Sequence, residues 1–103
     1  MLSNRRSEQR RPSQFLLEVS GFDRRGRFFT ERTACLDVGE ISCAFRLRSE
    51  VAENAPVAIR VAGQNSEEID FKPQLFQVVR VEEQTKGWMI GAIMMLGELA
   101  QPN

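Results

Sequence analysis

The sequence predicts an all-β domain, a small antiparallel barrel or sandwich of about six strands. Three observations carry this. Apolar residues recur at every second position along most of the chain, and the alternating runs are separated by short turns rich in Gly, Asp and Asn. Nothing before Leu96 shows a 3.6-residue period. At 103 residues the chain has room for one domain with one core, and closing such a sheet into a barrel removes its exposed edges.

The elements follow in order. In the first strand Phe15, Leu17 and Val19 share one face, with Gln14, Glu18 and Ser20 on the other. Asp23-Arg24-Arg25-Gly26 reads as a turn, with Gly26 free to take a positive φ. Phe28 to Val38 is the second strand, with Thr30, Arg32, Ala34, Leu36 and Val38 on one phase. The third alternates most clearly: Ile41, Cys43, Phe45 and Leu47 face inward, opposite Ser42, Ala44, Arg46 and Arg48. Ser49 to Pro56 is a connection, Val57, Ile59 and Val61 form a short strand, and Gly63 to Glu68 is a turn. Ile69 to Glu83 reads as one long strand or two short ones, with Pro73 at an edge, bulge or start. Gln84-Thr85-Lys86-Gly87 turns the chain into the closing strand, Trp88 to Met95, and Leu96 to Ala100 has room for one helical turn. Residues 1–13 are set apart as a flexible arginine-rich loop, 14–96 as the folded unit and 97–103 as a tail.

Composition excludes more than it assigns. The absence of histidine removes most hydrolase triads, imidazole metal and haem sites and the commonest general base, so no enzyme is expected. Two cysteines, Cys35 and Cys43, are too few for a zinc site and match no redox spacing; a disulfide across a hairpin is conceivable, but two reduced, packed thiols are the favoured expectation. No signal-peptide pattern is present, and the longest apolar run, Trp88 to Leu96, is too short to span a bilayer as a helix. A cytoplasmic protein without a membrane span is expected. Zero net charge argues against binding long nucleic acids. The charge is unevenly placed, however: residues 1–27 hold seven Arg against Glu8, Glu18 and Asp23. Arginine is the side chain that planar, bidentate recognition of phosphate or a guanine edge calls for.

Several segments together resemble the PilZ domain, a bacterial receptor module for cyclic di-GMP. Arg6-Ser7-Glu8-Gln9-Arg10 satisfies that family's R-x-x-x-R loop. Val19 to Asp23 and Gly26 to Thr33 resemble its first hairpin, and Trp88-Met89-Ile90-Gly91-Ala92-Ile93 its closing strand. The likeness extends from about Arg5 to Met95 and favours the barrel over the sandwich. The family's second motif, [D/N]-x-S-x-x-G, falls without gaps on Asp37-Val38-Gly39-Glu40-Ile41-Ser42. Asp37 matches, but Gly39 stands where Ser is expected and Ser42 where Gly is expected. Sliding the motif by three would exchange the faces of the third strand.

The resemblance implies a ligand clasped against the outside of the barrel. Arg6 and Arg10 would take phosphate and the guanine Hoogsteen edge, and Asp37 would accept from guanine N1–H and N2–H₂. Arg5 and Arg11 are secondary candidates, as are Gly39 and Ser42. Loss of the motif hydroxyl at Gly39 is expected to cost about 0.5–1.5 kcal/mol, and a left-handed Ser42 about 1–2 kcal/mol more. The expectation is therefore a single-domain receptor that binds cyclic di-GMP, if weakly, and passes its state to a protein partner, with no cofactor. The alternative is a ligand-independent adaptor that works through protein contacts alone.

Overall fold

The computed structural model describes residues 16–62 and 72–95. Among them run six strands and no helix: β1 Leu16–Phe22, β2 Phe28–Val38, β3 Ser42–Leu47, β4 Pro56–Val61, β5 Gln74–Gln84 and β6 Gly87–Met94. All neighbours are antiparallel, and the order β1-β2-β3-β6-β5-β4 closes on itself because β1 also pairs with β4. No strand is left as an edge, so every ladder finds its partner within the chain. Prolines sit where a missing N–H is harmless: Pro56 opens β4, and Pro73 immediately precedes β5.

The inward phase of each strand fills the barrel. Leu17 and Val19 of β1, Phe45 and Leu47 of β3, Val57 and Ile59 of β4, Phe76 and Val78 of β5, and Ile90 and Ala92 of β6 are buried. They form one cluster, against which Phe29, Val38, Val61, Trp88 and Met94 pack. No charged or polar side chain is buried among the described residues. The interior is therefore a core, and chemistry is confined to the wall and the ends.

Two β-bulges break the alternation. On β2, Cys35 faces Phe45 but Asp37 already faces Ala44, so one extra residue is accommodated near Leu36. This overturns the single phase expected from Thr30 to Val38: Cys35 and Val38, three apart, both point inward. Across the bulge the Cys35 thiol donates to the Asp37 carbonyl at 3.4 Å. On β5, Val78 faces Ala92 while Arg80 faces Gly91, so the inward phase passes from Val78 to Val81. Val78 is bound on its other side by the β3–β4 connection, where it accepts from the Asn54 N–H and donates to the Ala55 carbonyl.

Short devices fix the ends. Asp23 Oδ1 accepts from the backbone N–H of Arg25 and Arg27, each at 2.9 Å, which closes the β1–β2 turn beside a positive-φ Gly26. The Arg27 N–H is the leading reason that the Asp23 carboxyl lies below its ordinary range. Glu31 reaches from β2 to the chain leaving β3, accepting from the N–H of Arg48 and Ser49 and from the Ser49 hydroxyl. Gly87 has a φ of 118°, and a Cβ there would lie 2.5 Å from the Leu47 carbonyl oxygen. Gly87→Ala is expected to lose about 1–3 kcal/mol from backbone strain alone, measured by chemical denaturation; a change below about 0.5 kcal/mol would contradict this geometry.

Other expectations shift at the ends of elements. Ile41 lies outside β3 and is 51% exposed rather than inward. The stretch read as one long strand or two is one, β5, bent by its bulge. Phe15, the turn at Gly63 to Glu68, the start of the run at Ile69 and the helical turn at Leu96 to Ala100 lie outside the described residues, as do residues 1–13 and 97–103.

Candidate functional site

The three second-motif residues lie at one end of the β2–β3 hairpin. Asp37 is on β2 just beyond the bulge, and Ser42 opens β3. Gly39 between them donates its N–H to the Ser42 carbonyl at 2.8 Å, which closes the hairpin. The bulge decides where Asp37 goes. With the extra residue, Val38 joins the core, so the neighbouring Asp37 belongs to the outer wall. Without it the alternation from buried Cys35 would have turned Asp37 inward.

Ser42 does not have the positive φ that a glycine at that motif position would permit; Asn54 is the lone non-glycine residue with positive φ among those described. The strain expected at Ser42 is therefore absent. Gly39 also lacks a positive φ, and a Cβ built on it would sit 3.0 Å from the Ser42 Oγ. The hydroxyl of Ser42 thus hangs beside the space into which a side chain at residue 39 would project. The exchanged Ser and Gly face each other across the turn.

Asp37, Gly39 and Ser42 line a common groove of about 520 Å³ on the outer wall, together with Ala44, Val79, Arg80, Gly91 and Ile93. The volume falls within the range of small-molecule sites. Its floor follows the strand pairing: Asp37 opposite Ala44 on β3, Ala44 opposite Gly91 on β6, Gly91 opposite Arg80 on β5. With neighbouring strands about 4.8 Å apart, the row puts a carboxylate and a guanidinium roughly 14 Å apart at Cα, across a floor of one methyl and one glycine. A second cavity, about 250 Å³, opens at the barrel end among apolar side chains such as Leu17, Ile59 and Phe76. Glu40, Ser42, Arg60, Lys72 and Gln74 also line it, but Asp37 does not.

Most described arginines are already engaged. Arg60 and Arg32 flank Glu18 at 2.6 and 4.0 Å, Arg27 pairs with Asp23, Arg24 with Glu50, and Arg46 donates to the Gln84 side chain. Arg80 has no hydrogen bond or ion pair among the described residues. It was not among the residues singled out from the sequence, since only the β5–β6 register brings it into the groove. Cys35 and Cys43 are not joined in a disulfide. Burial, reinforced by nearby Cys35, pushes the Cys43 thiol up to about 12, so it stays protonated and is no nucleophile at neutral pH.

Arg5, Arg6, Arg10 and Arg11 lie outside the described residues. The chain that carries them joins the barrel at Leu16, opposite Ala34 and three residues along β2 from Asp37. The described residues hold no cluster able to bind a metal and no helix long and apolar enough to cross a membrane. Comparison with family models, with curated proteins and with solved structures finds no match for this chain.

Proposed function

We propose that the protein is a receptor for cyclic di-GMP that signals through a protein partner, with Asp37 and the arginines Arg6 and Arg10 as its principal contacts. One observation carries this reading: Asp37, Gly39 and Ser42 border the same outer-wall groove, close along β2 to the point where the arginine-bearing chain joins the barrel. A guanine laid in the groove has its N1–H and N2–H₂ edge toward the Asp37 carboxylate, an acceptor pair that matches two donors. The two phosphates then meet guanidinium groups, whose planar forks bind them bidentately. Arg5 and Arg11 add positive potential beside them. The output of binding is then a changed surface, read by another protein.

The absence of a left-handed Ser42 removes one of the two penalties expected of the altered motif, and the neighbouring Ser42 hydroxyl offers a donor where Gly39 has none. Titration calorimetry with cyclic di-GMP at near-physiological salt tests the reading. Binding is expected in the micromolar range, and Arg10→Ala should abolish it while leaving the thermal melting temperature unchanged. No heat at high micromolar ligand would leave the ligand-independent adaptor as the surviving role.

A further inference from the structure

We infer that Arg80 is a further ligand-binding residue, whose guanidinium forms a stacking surface for the purine that Asp37 holds by its edge; this rests on the reading of the outer-wall groove as the nucleotide site. The side chain of Arg80 lies across Gly91. A Cβ built on Gly91 would be 3.5 Å from Arg80 Cβ, 3.6 Å from Nε and 3.8 Å from Nη2. The side chain thus lies against the glycine along its length, with Cβ and the guanidinium Nε and Nη2 all close to the space a Cβ there would fill. Gly91 is buried although it lies on the outer phase of β6, because Arg80 covers it.

From Asp37 the floor runs over the Ala44 methyl and then onto the guanidinium resting on Gly91. Arg80 itself lines the groove. Arginine stacks on aromatic planes through its delocalised charge, and an anionic nucleotide adds a long-range attraction that a neutral plane lacks. Arg80 is also exposed and has no hydrogen-bond or ion-pair partner among the described residues, so receiving a base there breaks no interaction with them. Its neighbour Val79, 43% exposed, and Ile93, 38% exposed, border the groove as apolar contacts. A lysine would supply charge without the plane, and an aromatic ring the plane without the charge.

Calorimetric titration of cyclic di-GMP into the wild type and Arg80→Ala, Arg80→Lys and Arg80→Phe separates the possibilities. Arg80→Ala is expected to weaken binding about tenfold, with Arg80→Lys close to it and Arg80→Phe recovering part of the loss. Melting temperatures should match the wild type, since the side chain is exposed. Wild-type binding with all three variants equal to it would overturn the role of Arg80 and leave the receptor standing. Full recovery in Arg80→Lys but none in Arg80→Phe would overturn stacking in favour of a simple charge contact. Failure of the wild type itself to bind would overturn the receptor, and the role of Arg80 with it.

Discussion

Phe45→Ala is expected to destabilise the protein by about 3–5 kcal/mol, the largest loss available from a single side chain here. Phe45 is fully buried and is the largest such side chain in the barrel. It stands opposite Cys35 on β2 and Ile90 on β6, so its ring is shared by both neighbours of β3. Removing it leaves a cavity that a closed sheet cannot collapse to fill, because strand spacing is held by ladders on both sides. Domains of this size have only about 5–15 kcal/mol in hand, and each kcal/mol moves the midpoint by about 4–8 °C. The melting temperature should therefore fall by more than about 12 °C, with a large part of the population unfolded at 37 °C. The single tryptophan, Trp88, packs against the core and reports the transition by fluorescence. Leu75→Ala, at a position 53% exposed, should change stability by no more than about 0.5 kcal/mol. Equal losses in the two variants would mean that the core is not arranged around Phe45.

Asp37→Asn is expected to weaken cyclic di-GMP binding by about 10- to 100-fold. Hydrogen bonds to a charged acceptor contribute about 1.5–3 kcal/mol, and a carboxylate offers guanine two acceptors where the amide turns one of them into a donor. The amide NH₂ then faces a guanine donor, so attraction is lost and repulsion added. The substitution should also narrow the preference for cyclic di-GMP over cyclic di-AMP, since adenine lacks the donor pair that Asp37 reads. Calorimetry with both ligands, beside a melting curve for each protein, gives the two results separately. Unchanged affinity in a folded Asp37→Asn protein would remove Asp37 from the site and the motif assignment with it. On the proposed reading, Arg10→Ala removes a contact to phosphate or the guanine Hoogsteen edge, and Asp37→Asn one to the guanine N1–H and N2–H₂ edge. A loss in one alone would show which half of the clasp is real.

These predictions differ in how directly the chain announces them. The inward positions of Leu17, Val19, Phe45, Leu47, Val57 and Ile59 follow from a period of two, because successive side chains in a strand must leave on opposite faces. The bulges were legible only in part. From Val78 to Val81, and from Cys35 to Val38, the inward apolar residues step by three where a regular strand steps by two. That irregularity was absorbed into one continuous phase on β2, which hid the reason that Asp37 faces outward. The β3 alternation extended back to Ile41 points it inward, but β3 begins only at Ser42 and Ile41 lies in the turn. Gly39 and Ser42 were read as two separate defects of a motif, whereas the hairpin sets them face to face.

Alternation, turn chemistry and the absence of helical periodicity were enough, from the residues alone, to specify an all-β domain of six strands and most of its core. They are local properties, repeated every few residues, and a chain carries them before it folds. Only the tertiary structure decided that the sheet closes, that β6 lies between β3 and β5, and that Arg80 shares a groove with a carboxylate more than forty residues away. Those facts depend on register between distant strands, and register is set by how whole faces pack and where an extra residue is tolerated.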